Sequence, residues 1–105
     1  MRSVRRGEVW LVDLGLAAKI WPWLVLGARS ADEDRSLVTV VPHTTSLRGT
    51  RYEVSPSVRF LRPRAFDALG IVTLPTVRLM KHLGTLSSEQ LQTVVRAVCL
   101  WLGIQ

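Results

Sequence analysis

The sequence contains a single cysteine, Cys99, and its eight acidic residues are outnumbered by 14 lysines and arginines. One cysteine excludes an intrachain disulfide and leaves too few thiolates for a cysteine-based zinc site. The only acidic cluster runs from Asp32 to Asp34, and three adjacent carboxylates without a second cluster make a poor metal site. We therefore predict a protein that uses neither a metal nor another cofactor.

Long hydrophobic runs are also missing. The longest apolar run, Ile20 to Leu26, is far shorter than the roughly 20 residues that cross a bilayer. The basic first six residues precede a short apolar segment that Asp13 interrupts, which is a poor match to a signal peptide. These features predict a cytoplasmic protein with no membrane partner.

The chain has 105 residues, of which 48% are hydrophobic, and this is enough for one core. We predict a single domain over residues 1–105. The net charge is +6, and arginine supplies nearly all of the positive charge. Because arginine suits planar phosphate recognition, nucleic acid is the first partner to consider. An acidic protein would fit the same charge equally well.

Hydrophobic patterning predicts several short strands followed by one helix. Ser87 is a suitable N-cap, Gln90 completes a capping box, and Gly103 ends the helix. The predicted buried face of the helix consists of Leu91, Val94, Val95, Val98 and Leu102. The predicted strands are 8–14, 20–26, 38–41, 51–54, 58–61 and 69–74, and residues 76–86 could pair again. This order predicts a mostly β fold, α+β by a strict count, arranged as a small antiparallel barrel or half-barrel.

Three small hydroxyl side chains follow the predicted strand 38–41. Pro42 has no N–H to donate to a sheet, so we expect the strand to end there and the hydroxyls to lie at its end. They are Thr44, Thr45 and Ser46.

A turn and a returning strand are predicted directly after these hydroxyls. Gly49 can take a positive φ in the turn, and 51–54 would then form a hairpin with the preceding strand. This arrangement would place Arg48 and Arg51 beside the hydroxyls. Such a rim has the hydrogen-bond donors and positive charge that a phosphodiester needs. The alternative, which the stretch alone favours, is that the hydroxyls simply satisfy turn backbone.

Two further features leave alternatives open. Trp21 and Trp23 share one face of a predicted strand, where they either fill the core or offer a stacking surface for bases. Burial statistics favour core filling. The segment from Arg59 to Arg64 interleaves three arginines with Phe60 and Leu61. It is either a solvated basic edge or an RNA-binding rim.

Five landmarks occur in order along nearly the whole chain. They are RGEVWLVDL at 6–14, a proline-led WLVL strand, VVPHTTS at 40–46, RYEV at 51–54 and LGTLSSEQL at 83–91. Together they resemble the MazF/PemK family of toxins from type II toxin-antitoxin systems. The resemblance implies an SH3-like barrel that forms a homodimer and cleaves single-stranded RNA at short sequences without a metal. It also implies neutralisation by a partly disordered cognate antitoxin. DNA would be an indirect partner, bound only through that antitoxin.

The family resemblance also implies a catalytic pair, an arginine directly before a proline and a threonine in the VVPxTT segment. By position the threonine is Thr44, and the arginine position is occupied by Trp21. Tryptophan can neither deliver a proton to a leaving oxygen nor neutralise a pentacovalent phosphorane. Trp23 and Gly27, in the same strand, depart from the family pattern as well.

Other residues could contribute to RNA cleavage or binding. His43 has an unperturbed pKa that suits proton transfer near neutrality, although strand alternation points it away from Thr44 and favours a structural or surface role. The residues that we predict to bind RNA are Lys19, Trp23, Thr45, Ser46, Arg48 and Arg51.

The sequence thus leaves three functional hypotheses. The chain is a ribonuclease toxin in which Trp21 either disables cleavage or another group replaces the arginine. Alternatively, Trp21 and Trp23 form a stacking platform on a basic surface, and the chain binds RNA or its antitoxin without cutting. A third possibility is a purely protein-directed toxin, since some barrels of this type inhibit a topoisomerase.

Overall fold

The computed structural model describes residues 4–15, 20–29, 36–44 and 46–104. The strands in these ranges are β1 (Glu8–Asp13), β2 (Ile20–Arg29), β3 (Leu37–Thr44), β4 (Glu53–Val54), β5 (Ala65–Asp67), β6 (Val72–Pro75) and β7 (Leu79–Thr85). The helix α1 covers Ser88–Leu102, and two 3-10 helices cover Ala68–Gly70 and Thr76–Arg78. The predictions for Lys19, Asp32 to Asp34 and Thr45 lie outside the described residues.

All strand pairs are antiparallel, in the order β4-β5-β3-β2-β1-β7, and β6 pairs with β3 as well. Over the described residues, β4 and β7 lie at opposite ends of this order, and the sheet does not close. The prediction of a mostly β fold with antiparallel strands and a C-terminal helix is confirmed. Of the two predicted forms, the open sheet corresponds to the half-barrel.

Apolar side chains cover both faces of the three central strands. Alternate residues of β1, β2 and β3 point to opposite faces, and each face has its own buried cluster. One cluster contains Val9, Leu24 and Val41 and packs against α1. The other contains the side chains of Trp10 and Trp23, which lie opposite each other on β1 and β2. The sheet therefore places the indole of Trp23 on the face that the helix does not cover.

The helix begins and ends as predicted. Ser87 Oγ accepts the N–H of Gln90, the Gln90 side chain accepts the N–H of Ser87, and Gly103 ends the helix at φ 73°. Val94 and Val98 are buried as predicted, and Ala97 joins them. The prediction for Leu102 is wrong, because its side chain is 50% exposed on the last turn, beyond the packed core.

The predicted hairpin between 38–41 and 51–54 is wrong. β4 pairs with β5, and the neighbours of β3 are β2, β5 and β6. The Glu53 carboxylate accepts the N–H groups of Arg48 and Thr50, both at 2.9 Å, and closes these residues into a turn. Gly49 has positive φ within this turn, as predicted. β4 therefore begins only at Glu53, after the turn, and it pairs with β5 rather than with β3.

The predicted strand 58–61 is also wrong, because the segment 55–64 forms no strand. Pro56 and Pro63 cannot donate to a sheet, and the segment is held instead by side chains. Phe60 packs against Gly84 of β7, and Gln90 donates to the Ser57 carbonyl at 3.1 Å. The segment is a loop fixed on both β7 and α1.

Pro42 does not end β3, which continues to Thr44. On one edge of β3, pairing with β6 reaches Val40 and pairing with β5 starts at His43, so Pro42 falls in the gap between the two partners. The 3-10 helix at Ala68–Gly70 fills this gap, and it also replaces the first two residues of the predicted strand 69–74. The sheet can contain a proline here because no described strand pairs with Pro42 on this edge, and the 3-10 helix packs against it instead.

Candidate functional site

A cavity of about 450 Å³ lies where β2, β3 and β5 meet the 3-10 helix Ala68–Gly70. Its lining brings together five residues singled out from the sequence, namely Trp21, Trp23, His43, Thr44 and Ser46. Three further lining residues are Pro42, Asp67 and Gly70. The register of the sheet explains this grouping, because Trp23 pairs with Pro42 and Thr44 pairs with Ala65 at the start of β5.

Two indoles form one side of the cavity. Trp21 and Trp23 are two residues apart on β2 and therefore face the same way, with ring centroids 6.1 Å apart and ring planes inclined by 20°. Trp23 is 5% exposed and belongs to the core, as burial statistics favour. Trp21 is half-buried at the edge of that core. Only Trp21 therefore offers an accessible aromatic surface, while the buried Nε1 of Trp23 has no hydrogen-bond acceptor among the described residues.

The hydroxyl of Thr44 already has a structural role. The N–H of Ser46 donates to Thr44 Oγ1 at 3.0 Å, so the threonine does stabilise the turn that follows β3. A hydroxyl that accepts one hydrogen bond retains its own hydrogen and a second lone pair. Thr44 can therefore hold the turn and donate to an oxygen in the cavity at the same time.

His43 is 7% exposed and packs edge-on against Phe66, with ring centroids 5.0 Å apart. Burial lowers the pKa of the imidazole below its usual value, and the positive charge of Arg64 lowers the pKa further. The ring is therefore neutral at neutral pH. Its burial gives it the structural role that the sequence favours, and His43 is also among the residues that line the cavity.

Asp67 and Gly70 were not predicted as site residues. The Asp67 carboxylate accepts the N–H of Leu69 at 3.0 Å and caps the 3-10 helix. An added Cβ at Gly70 would lie 2.6 Å from Cγ of Pro42, so glycine allows the 3-10 helix to approach β3. The one sequence signal was an aspartate followed by a glycine three residues later, which is typical of a turn rather than of the strand predicted there.

The predicted arginines do not line this cavity. The Arg51 guanidinium lies 5.3 Å from the centre of the Tyr52 ring and donates to the tyrosine hydroxyl at 3.2 Å. Arg48 is exposed on the turn closed by Glu53. Lys19 and Thr45 lie outside the described residues. No arginine or lysine is therefore among the described residues that line the cavity.

Within the described ranges, no three His, Cys, Asp or Glu side chains are grouped so that they could hold a metal ion. The one α-helix there is not long and apolar enough to cross a membrane. The residues that line the cavity do include an aromatic surface at Trp21 and the hydroxyl-bearing Thr44 and Ser46, beside His43 and Asp67.

Several solved structures share this fold over almost their full length. A mycobacterial endoribonuclease in complex with its cognate antitoxin is 23% identical, with a TM-score of 0.82 and 98% of each chain covered. The Mycobacterium tuberculosis toxin MazF-mt6 is 24% identical, with a TM-score of 0.77 over 93% of this chain and 98% of that one. MazF from Deinococcus radiodurans is 19% identical, with a TM-score of 0.76 over 99% of this chain and all of its own.

The family comparison agrees with the landmarks in the sequence. Residues 5–102 match the model of the PemK-like, MazF-like toxins of type II toxin-antitoxin systems. The match spans every strand and the helix described above. The chain therefore belongs to the MazF/PemK family of toxins.

Proposed function

We propose that the chain is the toxin of a type II toxin-antitoxin system and that the cavity beside Thr44 is its site for metal-independent cleavage of single-stranded RNA. The observation that carries this proposal is the convergence of Trp21, His43, Thr44 and Ser46 on one cavity. Those residues come from β2, β3 and the turn that follows, and they supply a stacking surface beside hydrogen-bonding groups for a phosphate. The endoribonuclease activity named for a mycobacterial structure of the same fold supports the reaction type.

Each group has a defined part in such a reaction. The RNA 2′-hydroxyl attacks the adjacent phosphorus to form a 2′,3′-cyclic phosphate, and the bond from phosphorus to the 5′-oxygen breaks. The 2′ proton passes to a base, and the 5′-oxygen takes a proton from water. Thr44 and Ser46 donate to the phosphoryl oxygens. Neutral His43 is the group that can accept the 2′ proton, and the face of Trp21 stacks on a neighbouring base.

What the cavity lacks is a positive charge. In the family pattern the arginine stands where this chain has Trp21, and the described lining residues include no other cation. Losing one preorganised charge contact slows a reaction by ~10²–10³. We therefore expect weak cleavage by this chain.

This lack of charge also favours a second candidate function, in which the chain binds RNA or its antitoxin without cutting. The two functions separate in a cleavage assay on a long single-stranded RNA in EDTA, which removes metal-dependent contaminants. Measurable cutting by the unmodified chain favours the nuclease. Intact RNA together with salt-sensitive binding favours the second candidate.

The protein partner that we propose is a cognate antitoxin, and a mycobacterial structure of the same fold is in complex with its own antitoxin. We also propose that the toxin is a homodimer. Apolar side chains are about half exposed at the end of α1, where Leu100, Trp101 and Leu102 lie outside the core. Sedimentation equilibrium at micromolar concentration tests this, since a monomer at all concentrations would contradict the dimer.

A further inference from the structure

A second cavity, of about 310 Å³, lies beside the first and is formed mainly by the fixed loop at 55–64. Arg62 and Arg64 line it together with Ser55 and Ser57. The remaining lining residues are apolar, and no aspartate or glutamate is among the described residues around this cavity. Two positive charges and two hydroxyls thus share a small space without a counter-charge.

Arg64 makes this cavity unusual. Its Nε atom is buried and has no hydrogen-bond acceptor among the described residues. A buried donor without an acceptor is rare in folded proteins, and the cost is greater when the group is charged. The guanidinium presents several donors in a rigid fork that matches two oxygens of one phosphate. The missing partner is therefore best supplied by an anion with at least two oxygens.

The two cavities are joined by short stretches of chain. Ser46 lines the first cavity and Leu47 lines the second. On the opposite strand Ala65, which follows Arg64 directly, pairs with Thr44. The loop that carries Arg64 is held in place by Phe60 on Gly84 and by Gln90 on the Ser57 carbonyl. Adjacent residues of the chain therefore line the two cavities at both places, and the loop around the second cavity is already fixed.

We propose that Arg62 and Arg64 bind the phosphodiester next to the one that Thr44 and Ser46 hold in the first cavity. This inference rests on the proposed function, because it takes the occupant of the first cavity to be RNA. The second cavity has no aromatic lining residue among those described, so it suits sugar and phosphate rather than a stacked base. Trp21 supplies the stacking surface in the first cavity. An extended RNA strand presents both kinds of group in succession, whereas an acidic peptide presents no base to Trp21.

The anion site can be tested without RNA. Because Arg64 Nε–H is buried, its proton should exchange slowly enough to give a ¹H–¹⁵N signal, which Arg64→Lys identifies by removing it. We expect saturable movement of this signal when inorganic phosphate is titrated at constant ionic strength. If phosphate leaves the signal unmoved while an exposed arginine responds, the anion site is excluded.

The RNA assignment needs a second experiment, in which binding is measured by fluorescence anisotropy for two labelled RNAs. One is a dinucleotide with a single phosphodiester, and the other is a longer single strand. Arg62→Gln should weaken binding of the longer strand about tenfold and reduce the salt slope by about 0.7, the value for one phosphate contact on a single strand. Binding of the dinucleotide should be unchanged.

Arg59→Gln is the matched control, because Arg59 is exposed on the same loop but does not line the cavity. Equal effects of Arg62→Gln and Arg59→Gln on RNA binding would overturn the proposal, because they would mean that RNA binds a basic edge without a defined site. An acidic peptide that competes for the Arg64 signal when RNA does not would also overturn it. If RNA binding depends on Arg62 but no variant cleaves, the inference stands and the nuclease proposal fails.

Discussion

His43 and Thr44 are neighbours in the chain, and each already has a structural contact besides its place in the cavity. The imidazole packs on Phe66, and the threonine hydroxyl accepts the N–H of Ser46. A side chain held in this way is preorganised, because it keeps the same position with or without a ligand. Substitutions at either position must therefore be chosen so that the structural contact can be separated from the chemical role.

Thr44→Val keeps the β-branched shape of the side chain and removes the hydroxyl. We expect cleavage of single-stranded RNA to fall by ~10²–10³, because the phosphate loses a preorganised donor. Thr44→Ser retains the hydroxyl and the bond from Ser46, and it should keep most of the activity. Single-turnover cleavage rates measure both variants, and full activity of Thr44→Val would mean that the hydroxyl takes no part in cleavage.

The burial of His43 makes stability depend on pH. Its pKa is lower in the folded protein than in the unfolded chain, so the unfolded chain binds more protons as the pH falls below about 6.5. The free energy of unfolding should therefore decrease as the pH is lowered from 6.5 through the folded pKa, and it should be unaffected by this group above 6.5. Urea unfolding between pH 5 and 7.5 measures the change. His43→Gln, which cannot titrate, should flatten this part of the curve, and an unchanged curve would contradict the burial argument.

At the scale of elements, the site depends on a 3-10 helix that closes a gap in the sheet. Gly70 contacts Pro42 so closely that no side chain fits between them, and both residues line the cavity. The position of the 3-10 helix relative to β3 therefore depends on the close contact of Gly70 with the Pro42 ring. This contact couples the shape of the cavity to the stability of the fold.

Gly70→Ala should destabilise the protein by about 1–3 kcal/mol, the usual effect of overpacking. The added methyl would lie 2.6 Å from Cγ of Pro42, so the 3-10 helix or β3 must shift. Gly27→Ala is the control, since its added methyl meets nothing within 4 Å. Urea unfolding of both variants measures the difference, and equal stabilities would show that the 3-10 helix is free to move.

The elements that were predicted well are those specified by nearby residues. The capping box of Ser87 and Gln90 and the left-handed Gly103 define the helix locally, and the dense β-branched run of β3 defines that strand. The predicted hairpin is wrong because the pairing of strands depends on residues that are distant in the sequence. Glu53 closes a turn with its carboxylate, and β5, which comes later in the chain, takes the place beside His43 and Thr44.

The same distinction applies to the site. Thr44 and Ser46 were identified because they are hydroxyl residues at the end of a strand that the sequence predicts. Asp67 and Gly70 reach the cavity only through the pairing of β5 with β3, which no local pattern reveals. Arg48 and Arg51 were expected at the same rim only because of the incorrect hairpin.

At the scale of the whole molecule, charge favours an anionic partner. The net charge is +6, and Arg62 and Arg64 concentrate two of these charges in a cavity that adjoins the proposed cleavage site. Such a distribution attracts a polyanion from solution and makes its binding sensitive to salt.

Binding of single-stranded RNA should weaken steeply with salt. Contact with at least two phosphates predicts a slope of about −1.4 or steeper for the logarithm of the association constant against the logarithm of salt concentration. Anisotropy titrations between 50 and 300 mM potassium chloride, chosen to span roughly physiological ionic strength, measure this slope. A slope near zero would mean that RNA is not held by its phosphates.

We propose the cavity beside Thr44 as a site of RNA cleavage that has Trp21 in place of its arginine. The most direct measurement compares cleavage of a long single-stranded RNA in EDTA by the unmodified chain, by Trp21→Arg and by the double variant Trp21→Arg, Thr44→Val. We predict that Trp21→Arg cleaves ~10²–10³ faster than the unmodified chain and that the added Thr44→Val removes the gain. If Trp21→Arg folds and binds RNA but cleaves no faster, or if its gain survives Thr44→Val, the cleavage site does not lie in this cavity.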